Sequence, residues 1–588
     1  MNIRSLFLLP AAVLLAGCTA GDNSKLWLNA GIPTPEGEPY YEYRILNHWD
    51  NLDDSVERGY AGASIWNWTG ELPADRIRMY GELNRSIGIN GSVLNNVNAN
   101  PSVLREDCLK RVAEIADILR EYGIKTYLSI NFATPMALGE TSTADPLDPE
   151  VSEWWKAKAE EIYGMIPDFG GFLVKACSEG QPGPQDFGRT HADGANMLAD
   201  ALAPHGGIVM WRAFVYAPDS PDRANQAVEE FKPLDGQFRK NVIIQIKNGP
   251  VDFQPREPAN PLFFNLGKTA SMPELQVTQE YLGQAWHLTY LGTMWEEFLD
   301  ALEEGGSPSV HPAIAGVANT GQDDNFCGHI FSQANWYAFG RLAWDPTLSA
   351  GQIAEEWLRG TFPKPWWCSE KRFTSKFIVP VKDMMLRSRE ACVDYEMPLG
   401  THHLFNGSHY GPGPWQKAPR PDWMPAYYHK AAADGIGFDR TEATGSGNTA
   451  QYPEPLRSRY ENISTCPENL ILWFHHIPWD YRMNSGRTIW DELCLHYDRG
   501  ISEVQDFLKI WAKAKPFVDG SRWSAVQERL LIQEADARWW RDACVQYFGT
   551  FSGTAVPEDV EKPEIPLDSL MRRRGDPPVN TVVENSSF

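Results

Sequence analysis

The chain has 588 residues, too many for one ordinary domain, with 43% hydrophobic and 22% charged residues; that is the composition of a folded globular protein and excludes a disordered one. A formal net charge of -24 argues against nucleic acid as a partner, whose binding rests on neutralising phosphates with Lys and Arg, but leaves a small substrate open, because local cations override the global field. The 23 Trp suit sugar binding, since pyranose faces stack on indole rings, and suit a large aromatic core equally well.

Residues 1–18 read as a targeting segment. Arg4 supplies the basic start, residues 6–15 an apolar stretch of signal-peptide length, too short for a membrane span. The stretch ends in Leu15-Ala16-Gly17-Cys18, which resembles the bacterial lipobox, so Cys18 is expected to carry lipid and to anchor the chain in a bacterial cell envelope, periplasmic or outer-membrane. The alternative is an ordinary secretory signal with a chance cysteine. The other Cys (108, 177, 327, 368, 392, 466, 494, 544) form no CxxC pair, and any disulfide connectivity is unreadable. Residues 19–37, polar with Pro and Gly, read as a tether.

Short apolar runs then alternate with helical patterns. Strands are expected at 61–66, 87–95, 125–131, 171–176, 207–212, 241–247, 275–280 and 313–319, with helices at 104–122, 152–165 and 192–203 among them. This alternation predicts a (β/α)8 TIM barrel over residues 38–369. From about residue 343 helical patterns dominate, at 350–359, 377–391, 488–511 and 525–547, around a loop-rich stretch of Gly, His, Pro and aromatics at 400–480. A mostly α-helical C-terminal domain is expected over 370–555, and a surface tail over 556–588.

Active sites of such barrels lie at the C-terminal ends of the strands. In chain order those ends hold Lys175 and Glu179, Arg212, Lys247 and Asp252, and Glu280. Three cations and three carboxylates converging there need mutual pairing or a ligand, because an unpartnered buried charge costs several kcal/mol. Paired carboxylates beside a cation cluster suggest hydrolysis of a glycoside bearing an acidic sugar: one acid protonates the leaving oxygen, another carboxylate attacks or activates water, and the cations hold the substrate carboxylate. The alternative is an ion-pair network closing the barrel mouth. HExxH, GxxxxGK[ST] and paired CxxC motifs are absent from the sequence, and Thr444-Gly445-Ser446-Gly447 lacks the GxSxG spacing. His402, His403, His409, His475 and His476 are not at i, i+4 spacing, so neither a metal nor a cofactor is expected.

Many longer motifs point further. Asn47-His48-Trp49-Asp50-Asn51, Gly88-Ile89-Asn90-Gly91, Leu94-Asn95-Asn96-Val97-Asn98, Phe169-Gly170-Gly171-Phe172-Leu173-Val174-Lys175, Gln245-Ile246-Lys247-Asn248-Gly249-Pro250, Arg256-Glu257-Pro258, Thr278-Gln279-Glu280-Tyr281 and Phe474-His475-His476 resemble the α-glucuronidases of glycoside hydrolase family 67, in order, over about residues 40–550. The resemblance implies release of glucuronic acid, or its 4-O-methyl ether, α-1,2-linked to the terminal non-reducing xylose of glucuronoxylan-derived oligosaccharides, with inversion at the anomeric centre. By motif it assigns Glu179 as general acid, Asp252 and Glu280 as the carboxylates that hold and activate water, Lys175, Arg212 and Lys247 as uronate ligands, and Trp49 and Val97 as apolar contacts near the C4 substituent. It also implies a homodimer through the helical C-terminal region.

Two departures from the family's pattern stand out. Its N-terminal domain is expected to be missing or truncated, since few residues separate the lipobox from the motifs. Cys177 stands where the family usually has Asn; read alone, it is an inert packing cysteine at the end of an apolar strand. Two rival readings remain: a retaining barrel glycosidase using Glu179 and Glu280 with Asp252 structural, and a non-catalytic, lipid-anchored oligosaccharide-binding protein.

Overall fold

Runs of β-branched and other apolar residues that are buried on both faces pair in parallel, and here they close into a barrel with strand order β1 to β8. The strands are β1 (Tyr43–Asn47), β2 (Gly91–Val93), β3 (Lys125–Ile130), β4 (Gly171–Val174), β5 (Ile208–Arg212), β6 (Val242–Lys247), β7 (Ser271–Gln276) and β8 (Ala313–Val317). The structure is a computed structural model and describes residues 35–58, 62–214 and 221–578. Register between β5 and β6 sets Arg212 beside Gln245, and between β6 and β7 it sets Lys247 beside Glu274. The charged residues thus come at matching heights, at the C-terminal rim of the barrel.

Helices Ala74–Ser86, Glu106–Arg120, Pro149–Met165, His191–Leu202, Gln226–Phe231, Gly292–Gly305 and Ile330–Trp344 surround the strands. Asp148 and Thr190 cap two of them by accepting backbone N–H bonds, which satisfies donors that a helix start leaves unpaired. Between β6 and β7 the only helical turn is the short one at Pro261–Phe264. Helices Val379–Glu396, Ile489–Ala514 and Gly520–Ser552 pack together beyond the barrel, and one continuous apolar core runs from Tyr41 through the barrel to Val560. The intervening loops carry His403, Phe405 and His409 onto the mouth of the barrel.

Two strands differ from expectation. The first lies at Tyr43–Asn47 and not at 61–66; Ala61 is outside the described residues, and 62–66 form no strand. The buried Arg44 had broken the apolar pattern. Its guanidinium donates to Gly88 O and lies over Trp344 at 5.1 Å, which makes a cation tolerable inside β1. Ile65 and Trp66 are buried all the same. The seventh strand is Ser271–Gln276, four residues earlier than read, so Glu280 stands on the loop beyond it. Pro273 and Glu274 are unusual inside a central strand; Glu274 is tolerated because Arg212 neutralises it. Strand β2 is shorter than the 87–95 run, and β4 stops before Lys175. Within the expected surface tail, Leu570 is buried against Tyr410 and Trp539. The cysteines of the described region are all free; Cys18, and the tether up to residue 34, lie outside that region.

Candidate active site

Strand β4 delivers Lys175, and the chain then folds back on itself. Cys177 and Glu179 both take left-handed backbone angles, φ 54° and 50°, and Gln181 N–H donates to Ser178 O at 2.9 Å. Non-glycine residues adopt this conformation at a cost of order 1 kcal/mol or more each. The turn brings Glu179 Oε2 to 2.5 Å from Lys175 Nζ, which also donates to Asn98 Oδ1 at 2.8 Å. Cys177 is therefore not inside a strand. Its thiol faces Gln185 Oε1, burial pushes its pKa up to about 12, and a Cβ at Gly183 would come within 2.0 Å of its sulfur; only glycine leaves room for the thiol there.

From β5, Arg212 forms a forked pair with Glu274 of β7, with Nε to Oε2 2.9 Å and Nη2 to Oε1 2.7 Å. Both side chains are almost fully buried. From β6, Lys247 Nζ lies 2.7 Å from Asp252 Oδ1, while Tyr281 OH donates to Asp252 Oδ2 at 2.6 Å. Glu280 accepts from Gln276 Nε2 at 2.9 Å, faces His409 Nδ1 at 2.8 Å and lies 3.5 Å from Arg58 Nε. The Phe214 ring sits among the cations, with Lys247 Nζ 3.4 Å, Arg212 Cζ 5.2 Å and Lys175 Nζ 5.4 Å from its centroid. An aromatic face attracts cations electrostatically and so eases the crowding of like charges.

The eight residues singled out from the sequence, Trp49, Val97, Lys175, Glu179, Arg212, Lys247, Asp252 and Glu280, line one pocket together with Glu57, Arg58, Asn98, Phe214, Tyr281 and His409. A cavity of about 340 Å³ continues from it past Arg223 and His403 to Lys417 and Trp423. Sequence reasoning missed Arg58, Arg223, Tyr281 and His409. Arg58, Tyr281 and His409 lie on loops and Arg223 opens the short 3-10 turn Arg223–Asn225, where no periodicity marks them; Tyr281, next to Glu280 in a quoted motif, carried a usable signal. Arg212 differs from expectation in part: two of the five N–H donors of its guanidinium serve Glu274, so only the rest can face a ligand.

Burial alone would push Glu179 up, but Lys175, with Arg223 and Lys247 behind it, outweighs burial and holds the carboxyl below its ordinary value. Desolvation also opposes charge on Asp252, and there Lys247 and Arg223 prevail more strongly, keeping it ionised. Desolvation pulls both Lys175 and Lys247 below the usual lysine range, with the neighbouring Arg212 adding to the fall and their carboxylate partners resisting it. Removal from water is the largest cause of both shifts, and an incoming anion that pairs with the lysines would offset it.

A closed parallel barrel whose rim gathers carboxylates around lysines and arginines defines a (β/α)8-barrel protein with a pocket lined by both signs of charge. The chain belongs to glycosyl hydrolase family 67: the family's middle domain matches residues 33–326 and its C-terminus residues 327–561. Among similar proteins, alpha-glucuronidase A of Emericella nidulans is 44% identical over 552 residues, covering 89% of this chain and 64% of that protein. The probable alpha-glucuronidase A of Aspergillus clavatus is 42% identical over 541 residues, 88% of this chain and 63% of that protein. The alpha-glucuronidase of Hypocrea jecorina is 41% identical over 553 residues, covering 89% and 64%. The chain thus spans less than two thirds of the length of these relatives.

Proposed function

We propose that this protein is an α-glucuronidase that hydrolyses the α-1,2 bond between glucuronic acid, or its 4-O-methyl ether, and the terminal non-reducing xylose of glucuronoxylan-derived oligosaccharides, inverting the anomeric carbon. One observation carries the reading: Glu179, Asp252 and Glu280 share a single pocket with Lys175, Arg212 and Lys247. The relatives named alpha-glucuronidase support it.

In this mechanism the uronate carboxylate binds Lys175, Lys247 and the unused donors of Arg212 through charge-assisted hydrogen bonds. Glu179 gives its proton to the xylose oxygen as the C1–O bond breaks and its electron pair stays on that oxygen. Asp252 and Glu280 hold a water on the opposite face, and one of them takes its proton as the new C1–O bond forms. Trp49 and Val97 wall the C4 side of the sugar. Lys247 and Tyr281 hold Asp252 in the pocket that Glu280 also lines, which supports two carboxylates for water and so single displacement over a retaining route with Asp252 merely structural.

The deciding assay is uronate release from aldouronic acids by wild type and Glu179→Ala. Release that is abolished in the variant supports the reading; binding without release by wild type favours an oligosaccharide-binding protein. Proton NMR of the first product separates the mechanisms, since inversion yields β-glucuronic acid and retention the α-anomer. We also propose that Cys18 is lipidated in a bacterial envelope, to be tested by palmitate labelling of wild type against Cys18→Ser, and that the helical C-terminal region pairs two copies, to be tested by sedimentation.

A further inference from the structure

The motif Arg256-Glu257-Pro258 has no part in the chemistry above, yet Glu257 is almost completely buried directly behind Asp252. Its Oε2 accepts the Val251 N–H at 2.8 Å and its Oε1 the Asp252 N–H at 2.9 Å. The Nε2 of His402 reaches Oε1 at 3.2 Å, and His402 Nδ1 in turn meets His403 Nδ1 at 3.2 Å. The fit is close: a Cβ at Gly249 would fall 2.3 Å from Glu257 Oε2, so a side chain there would evict the carboxyl group. Pro250, Pro255 and Pro258 remove backbone donors from this loop and restrict its φ angles. The Val251 and Asp252 N–H groups are therefore among the few handles by which the loop can be held, and Glu257 holds both.

Glu257 lines neither part of the substrate pocket. It faces instead a separate cavity of about 470 Å³ between helix Gly292–Gly305 and residues 459–470. We propose that Glu257 is a positioning residue for the hydrolytic step. Its carboxyl group, oriented by His402, clamps two successive backbone N–H groups and so sets the direction in which the Asp252 carboxylate meets Lys247, Tyr281 and the water. Because Asp252 is one bond set away from the clamped N–H, a small shift of the loop moves its carboxylate by a comparable amount, and a misplacement of about 1 Å at such a group lowers rate by roughly 10²-fold. The inference rests on the proposed role of Asp252 in α-glucuronidase activity.

The test compares wild type, Glu257→Gln, Glu257→Leu, His402→Gln and His402→Leu for kcat and KM of uronate release, with crystal structures and thermal unfolding of each. The expected result is a kcat reduced by roughly tenfold in Glu257→Gln and roughly 10²-fold in Glu257→Leu, with KM changed far less and the Asp252 carboxylate displaced from Lys247. His402→Gln, whose amide can donate from the same place, should lose less than His402→Leu. If Glu257→Leu does not fold, the His402 pair decides the matter in the same way. Unchanged kcat with an undisplaced Asp252 overturns the proposal, as does a fall in stability alone. Should wild type release no uronate, the functional reading fails, and the position of Asp252 in the variant structures still decides whether Glu257 positions it.

Discussion

Lys175 Nζ and Glu179 Oε2 stand 2.5 Å apart, so the residue proposed to donate a proton is, in the free protein, paired with the cation proposed to bind the substrate. The pairing holds Glu179 below its ordinary carboxyl value, the wrong direction for a general acid. A uronate that engages Lys175 withdraws that stabilisation, excludes water from Glu179, and shifts it upward. The free protein's acid is then deprotonated at a lower pH than that of the complex. Because kcat/KM reports free-enzyme groups and kcat those of the complex, the alkaline fall of kcat/KM should begin at lower pH than the fall of kcat. Coincident limbs in the two profiles would remove this coupling.

The Arg212–Glu274 fork joins β5 to β7 inside the barrel. Removing one partner of a buried ion pair leaves the other uncompensated, at a cost of about 3–5 kcal/mol. Glu274→Gln should therefore lower stability toward that range in urea unfolding. It should tighten uronate binding per folded molecule, because Arg212 gains donors for the ligand. The double replacement Arg212→Met with Glu274→Leu should recover most of the stability and lose the binding. A Glu274→Gln protein as stable as wild type would mean that Asp252 and Glu179 already neutralise Arg212.

Cys177 takes φ 54°, a conformation that asparagine tolerates better than most side chains because its amide can hydrogen-bond locally. Cys177→Asn should raise stability by up to about 1 kcal/mol and leave Glu179 in place. The larger amide must still fit beside Gly183, so Cys177→Val, β-branched and unsuited to positive φ, is the contrasting variant and should destabilise. Equal unfolding midpoints for Asn and Val would show that the backbone angle does not govern this position.

How far the sequence carried the fold follows from where its charges fall. Strands β3, β5, β6 and β8 are mostly apolar, with charges only at their ends, and their spans agree with the structure to within two residues. Strands β1 and β7 contain Arg44, and Pro273 with Glu274, whose partners come from distant parts of the chain; no local pattern announces them. Glu280 reads in sequence as the end of a strand, whereas it stands on a loop and is aimed by Gln276 and His409. Arg223 and His409 were illegible for the same reason. Their neighbours in sequence show no period: Arg223 comes from the segment between β5 and β6 and is held by Tyr428, and the packing of the C-terminal loops over the barrel brings His409 to Glu280.

That packing is itself charged, and it should be sensitive to acid. Glu297, on helix Gly292–Gly305 of the barrel, meets Arg389 of helix Val379–Glu396 at 2.6 Å and Arg256 of the β6–β7 loop at 3.2 Å. Partial desolvation pushes the Glu297 carboxyl up, but the two guanidinium groups dominate and bring it down to about 2 from an ordinary 4.5, and solvent screens part of the effect because the side chain is 44% exposed. A folded-state pKa below the unfolded one means that the group favours the folded state when ionised. Its contribution is complete above about pH 4.5 and is lost progressively as pH falls toward about 2. Glu297→Gln removes one of the two titrating groups, leaving Glu390 on the same arginines in both proteins, so the stability difference between wild type and variant should shrink as pH is lowered through this window. Urea unfolding of the two proteins at a series of pH values measures it. A difference that stays constant from neutral pH to the bottom of the window would assign the contact to packing and hydrogen bonding, with no electrostatic share in holding the helical region to the barrel.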